Sequence, residues 1–147
     1  MTDLRTTDQT TTDLRTTDQP MTDETVTDPS TVVDTYLAMW NEEDAGRRAE
    51  HIAAAWASDG RYADPLQEAA GHEALSEMVA AIHQQLPEHR FTRTSGIDVH
   101  HDELRFGWQL AAPDGTVAVA GIDVGTLADD GRLRRITGFF GDLPPEA

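Results

Sequence analysis

At Pro87 the spacing of apolar residues in this chain changes from every third or fourth position to every second, which restricts the fold more than any single motif does. Upstream, Val32, Val33, Tyr36, Leu37 and Trp40 follow Asp28-Pro29, where an acceptor side chain and a fixed φ suit a helix start. After the acidic break Asn41-Glu42-Glu43-Asp44, Asp44 can cap a second helix that aligns Ala49, Ile52, Ala53 and Trp56 and stops at Asp59-Gly60. Arg61-Tyr62-Ala63 reads as a short strand closed by Asp64-Pro65. A third helix from His72 to Leu86 carries Leu75, Met78, Val79 and Ile82 on one stripe and ends before Pro87. Beyond it, strands at Arg90 to Ile97, Glu103 to Ala111, Thr116 to Leu127 and Leu133 to Gly141 are separated by turn residues at 100–102, 113–115 and 129–131. Short connections imply antiparallel neighbours, so the expected fold is α+β, three N-terminal helices packed on a curved, mainly antiparallel sheet.

A chain of 147 residues, 38% hydrophobic, can bury one core, placed here at residues 29–143 with a short C-terminal tail at 144–147. Residues 2–9 recur letter for letter at 12–19, and the first 28 residues are so poor in apolar groups that a disordered tail is expected, with Met21 an alternative start. Eleven basic against 27 acidic residues give a formal charge of -16, the wrong sign for nucleic acid or an anionic membrane surface. With no cysteine, disulfides and thiolate chemistry are excluded. No apolar run suits a membrane helix and no leader pattern is present, so a cytoplasmic protein is expected.

Asp123 stands alone among Ala120, Ile122 and Val124 in an apolar strand. Burying an unpaired carboxyl costs several kcal/mol or raises its pKa by roughly 3 to 5 units, so this residue reads as a pocket acid unless a base such as Arg93 pairs with it. Asp64 precedes a proline and reads equally as a turn former or as a functional carboxylate. Tyr36 lies on the apolar stripe of the first helix, where a core role with a bonded hydroxyl is the plain alternative. Trp40, Trp56, Tyr62, Met78, Ile82, Phe91, Trp108 and Phe139 are core residues of which a subset should line a pocket for a flat, apolar organic ligand. His100-His101-Asp102 reads as a solvated hairpin tip, and His72 and His83, eleven apart, share a helix face without the spacing of a zinc site. No metal and no cofactor are expected: no phosphate loop, nucleophile elbow or dinucleotide fingerprint is present.

The order Tyr36-Leu-Ala-Met-Trp-Asn, Tyr62-Ala-Asp64-Pro65, Gly71-His-Glu-Ala-Leu75 and Asp130-Gly-Arg-Leu resembles the SnoaL-like branch of the nuclear transport factor two superfamily over residues 30–143. The resemblance implies a cone-shaped α+β barrel with a pocket at its wide end, and a range of activities that the fold alone does not separate. Tyr36, Asp64 and Asp123 fall on the positions that ketosteroid isomerases of this superfamily use: a Tyr and a protonated Asp that hold the substrate oxygen, and an Asp that moves the proton. This enzyme is a general example of a carboxylic acid kept neutral by its surroundings. Limonene-type epoxide hydrolases and polyketide cyclases are similar in fold, but the carboxylates they use are replaced here by Arg105-Phe-Gly-Trp-Gln-Leu and Ile136-Thr-Gly-Phe-Phe-Gly. The expectation is therefore a cofactor-independent isomerase- or lyase-type enzyme acting on a small apolar carbonyl compound, with a non-catalytic binding module, or an epoxide hydrolase- or polyketide cyclase-type enzyme, as alternatives. The resemblance also implies a homodimer that pairs the outer faces of two sheets.

Overall fold

The computed structural model describes residues 28–146. Of the tail expected at residues 1–28, residues 1–27 with the repeat lie outside them, and Asp28 is the cap of α1. The described elements are α1 (Pro29–Asn41), α2 (Ala45–Ala55), β1 (Trp56–Ala63), β2 (Glu68–Ala70), α3 (His72–Gln85), β3 (Arg90–Arg93), β4 (Asp98–His100), β5 (Glu103–Ala111), β6 (Val117–Leu127) and β7 (Leu133–Phe140). The caps are those the sequence suggests: Asp28 accepts from the Ser30 amide at 2.8 Å, and Asp44 from the Arg47 amide at 2.8 Å. Each satisfies an amide at a helix start that has no partner within the helix.

The strands form one open, curved sheet in the order β2-β1-β7-β6-β5-β3, with β4 also on β5. Its pairings are antiparallel except β1 with β7, which run parallel. All three helices pack on one side. The core joins Val32, Val33, Tyr36, Met39 and Trp40 of α1 to Ile52 of α2, Leu75 and Val79 of α3, and Leu104, Phe106, Trp108 and Leu110 of β5. Each fully buried aliphatic or aromatic side chain contributes roughly 1.5 to 3 kcal/mol of transfer free energy, which is what holds helices to sheet.

Several elements differ from the sequence reading. The second helix ends at Ala55, not at Asp59-Gly60, because Trp56 already pairs with Leu133 of β7. His72 Nε2 reaches the Trp56 and Ala57 carbonyls, both at 3.1 Å, and ties down that transition. Gly60 is needed there, since a Cβ would stand 2.5 Å from the Trp56 ring. Glu68–Ala70 adds a short edge strand, β2, that the sequence reading did not include. The strand expected at Arg90 to Ile97 ends at Arg93, and β4 resumes on the same edge of β5 at Asp98. Between them the Ser95 hydroxyl, not a backbone carbonyl, accepts from the Gly107 amide at 2.7 Å.

Candidate functional site

Tyr36 and Asp123 meet in the interior. The Tyr36 hydroxyl donates to Asp123 Oδ2 at 2.7 Å, and the two residues are only 1% and 3% exposed. Helix periodicity turns Tyr36 inward beside Trp40, Trp56 and Phe106, at ring separations of 6.4, 5.9 and 6.1 Å. Strand alternation does the same for Asp123, opposite Phe106 on one side and Gly138 on the other. Asp123 Oδ1 has no hydrogen-bond partner. Burial pushes the Asp123 carboxyl up to about 7; the hydrogen bond from Tyr36 and the nearby Trp108 indole oppose this, and the charge of Asp64 adds to it. The indole lies near the carboxyl without completing a hydrogen bond. Burial, followed by the charge of Asp123, holds the Tyr36 hydroxyl well above the usual phenol range, so it is a neutral donor. Arg93 does not approach Asp123; it lies 4.0 Å from Asp34 at the surface.

Asp64 leaves β1 next to this pair. Its Oδ1 accepts from the Leu66 and Gln67 amides at 2.8 and 3.0 Å, the turn geometry expected of an Asp before a Pro. Its Oδ2 accepts from the Tyr62 hydroxyl at 2.7 Å. Tyr62 near the end of β1 and Asp64 just past it are two residues apart, which brings their side chains to one side. Burial, then the charge of Asp123, raises the Tyr62 hydroxyl far out of the phenol range, so it too stays protonated.

Gly138 lets these groups come together. A Cβ on it would stand 2.9 Å from Asp123 Oδ1 and 3.3 Å from both the Asp64 Cβ and the Tyr62 hydroxyl. Gly138→Ala is therefore expected to part the two carboxyls and to destabilise the protein by about 1 to 3 kcal/mol. Urea unfolding of the variant checks this; an unchanged midpoint would show that the carboxyls give way freely.

A cavity of about 100 Å³ opens beside them, walled by Trp40, Tyr62, Ile82, Leu86, Phe91, Trp108, Leu110, Val119 and Phe140, with Asp64, Leu66, Gln67 and Gln85 also in its lining. It shares the walls Trp40, Tyr62, Phe91 and Trp108 with an inner crevice of about 10 Å³, bounded also by Tyr36, Leu37 and Asp123. Of the residues that sequence reasoning placed at a pocket, Trp40, Tyr62, Ile82, Phe91 and Trp108 line the cavity. Trp56, Met78 and Phe139 do not. Trp56 is fully buried under Gly60 in the core, and Met78 packs in the same core from α3. Phe139 points outward at 57% exposure, and Phe140 takes the inward place. Gly138, Leu110, Val119 and Phe140 were missed, although Ile136, Gly138 and Phe140 share one parity along β7. His83 Nε2 is engaged with the Trp40 carbonyl at 2.7 Å, as His72 is with β1, so the two histidines serve the framework. Among the described residues no three metal-ligating side chains cluster.

Residues 33–136 match the family described as the SnoaL-like domain. The chain belongs to this SnoaL-like family. Among solved structures, a proposed isomerase of the SnoaL-like family from Agrobacterium tumefaciens is 39% identical, with a TM-score of 0.73 over 77% of this chain and 97% of that one. A proposed SnoaL-like polyketide cyclase from Jannaschia, 18% identical, covers 76% of this chain and 85% of its own with a TM-score of 0.57. A protein with a ketosteroid isomerase-like fold from Catenulispora acidiphila, solved with trimethylamine, is 15% identical, with a TM-score of 0.61 over 75% and 85% of the two chains. These last two share the fold. None of the curated proteins matches.

Proposed function

We propose that the cavity is the active site of an acid/base enzyme that moves a proton on a small, apolar carbonyl compound without a cofactor. The observation that carries this reading is the buried, unpartnered Asp123 Oδ1 in an inner crevice that shares its aromatic walls with a cavity holding a second carboxylate. Asp64 Oδ2 takes the proton alpha to the carbonyl, after the Tyr62 hydroxyl yields its hydrogen bond. Asp123, protonated on Oδ1, donates to the oxygen on which charge develops; once that proton has passed to the oxygen, the enol hydroxyl so formed donates back to Oδ1. Tyr36 acts through Asp123: its single proton is engaged by Oδ2, so it orients and polarises the acid without touching substrate. The isomerase proposed for the 39% identical relative supports this class of chemistry. The cavity, at about 100 Å³, suits a substrate of about one ring better than a four-ring steroid.

The test is a screen of cyclic enolisable ketones for protein-dependent exchange of alpha protons with deuterium oxide, read by NMR. Exchange at least ~10²-fold above buffer is expected for a good substrate. Its absence across ketones that demonstrably bind would overturn the reading. One observation favours the alternative of a non-catalytic binding module: Asp64 already accepts three hydrogen bonds, two of them from its own turn. Binding without exchange would select it.

We further propose that two copies pair through the outer sheet face. Ile122 and Phe139 are cross-strand neighbours there, 47% and 57% exposed, with Val117 also exposed at 46% on β6. An apolar strip in the middle of a sheet whose other face is filled by helices is a candidate interface. Ile122→Asp is expected to convert a dimer to a monomer in sedimentation at micromolar concentration; a wild-type monomer would remove the proposal.

A further inference from the structure

Two buried polar atoms of residues bordering the inner crevice lack partners: Asp123 Oδ1 and the indole Nε1–H of Trp108. Native interiors satisfy nearly all such atoms, so a pair left open beside one small space marks where a ligand or water belongs. Asp123 lies opposite Phe106, and Trp108 is two residues further along β5, so both project to the same inner face and both border the inner crevice. At about 10 Å³ that crevice has room for one small polar group.

A group seated there meets an N–H that must donate and a carboxyl oxygen that is open. A hydroxyl answers both, accepting from Trp108 Nε1 and donating to Asp123 Oδ1. A methyl group answers neither. A carboxylate would accept from Trp108 but bring a negative charge against Asp123 and Asp64, and the cavity lining holds no Arg or His to offset it. The chain contains no Lys at all. The remaining walls, chiefly Trp40, Phe91, Leu110 and Val119, are apolar.

We infer that the ligand of this cavity is an uncharged compound of about one ring that places a hydroxyl, alcoholic, phenolic or enolic, between Trp108 Nε1 and Asp123 Oδ1. Trp108 is thereby a ligand-binding residue as well as a wall. The inference rests on the cavity being the ligand site proposed above, and it deepens that reading, because an enol is the form in which a carbonyl substrate carries such a hydroxyl.

Phenol, toluene and benzoate separate the possibilities, titrated near neutral pH into ¹⁵N-labelled protein while the tryptophan indole N–H resonances are followed. Phenol is expected to bind at least about ten-fold more tightly than either of the others, the worth of a well-made hydrogen bond or of one avoided charge repulsion. The Trp108 resonance should move most. Trp108→Phe keeps a ring in the wall and removes the N–H; phenol should then lose at least about three-fold in affinity while toluene is unchanged, read on the Trp40 resonance. The wild-type ranking tests the inference even if that variant folds poorly. Benzoate or toluene binding as tightly as phenol, a phenol affinity unchanged by Trp108→Phe, or no movement of the Trp108 resonance with any of the three would overturn it. The two readings fail separately. Ranked binding without proton exchange sinks the acid/base proposal alone, whereas exchange on ketones bearing carboxylates sinks this one alone.

Discussion

Asp64→Asn is expected to cut alpha-proton exchange by at least about 10²-fold while leaving phenol binding unchanged or tighter. An amide cannot take the proton, yet its oxygen can still accept from the Leu66 and Gln67 amides, so the turn should persist. Asp123→Asn should be milder, because an amide nitrogen can still donate to the substrate oxygen. Asp123→Leu should lose both exchange and phenol affinity, by about 1 to 3 kcal/mol, the range for a hydrogen bond that involves a charged or strongly polar partner. The comparison of three variants matters more than any one of them. Equal losses of rate in Asp64→Asn and Asp123→Asn, with affinity unmoved in all three, would mean that the carboxyls serve only the fold.

The second large effect is on stability. Folding raises the Asp123 carboxyl from an ordinary 3.8 to about 7, chiefly through burial. Between those values the folded protein keeps a proton that the unfolded chain has released, so this residue's contribution falls as pH rises and is lost once pH passes about 7. The slope is about 1.4 kcal/mol per pH unit, and the whole window is on the order of 4 kcal/mol. Asp123→Asn removes the titration. Relative to wild type, the variant should gain stability steadily from pH 4 to pH 7 and no further above it, whatever constant offset the amide introduces. Asp28, Asp114 and Asp130, whose carboxyls are held below the usual range by local hydrogen bonds, titrate on the acid side of that window and are common to both proteins. Urea unfolding at pH 4, 6 and 8 gives the difference; a flat difference would contradict a buried, neutral Asp123.

Much of the fold could be read because local signals agreed with the tertiary structure. Asp28 and Asp44 cap helices with their own side chains, and Gly115 and Gly131 take the positive φ that their turns need. Asp123 was legible for the opposite reason, as a residue that its own strand does not explain. What escaped was whatever depended on a partner far away in sequence. Trp56 continues the stripe of α2, and only its pairing with Leu133 makes it a strand residue. Phe139 and Phe140 are adjacent aromatics, and which one faces inward is set by a register irregularity between Thr126-Leu127 and their partners in β7. One residue of slip exchanges the two faces of a strand. Gly138 carries no local signal of its own, because its role is set by Asp64, Tyr62 and Asp123, which converge on it from elsewhere in the chain. That Tyr36 spends its proton on Asp123 could not be foreseen either, since it depends on the angle at which α1 crosses the sheet.

The single parallel pairing in the sheet has a kinetic consequence. Tyr62 and Asp64 come from β1, whereas Asp123 and Gly138 come from β6 and β7, and Tyr62 lies beside Ile136 in register. Nothing local joins the two halves of the site. The helices and the β5–β6–β7 meander can form from contacts between near neighbours in the chain, but β1 reaches β7 only by closing a loop of more than seventy residues. Closing such a loop costs entropy before any contact is gained, so this docking belongs to the late, slow part of folding. During synthesis the cavity would have no inner wall until β7 has emerged, and a ligand could first stabilise the protein only at that stage. Ligand added during refolding should then leave the early collapse unchanged and slow only the unfolding of the completed sheet.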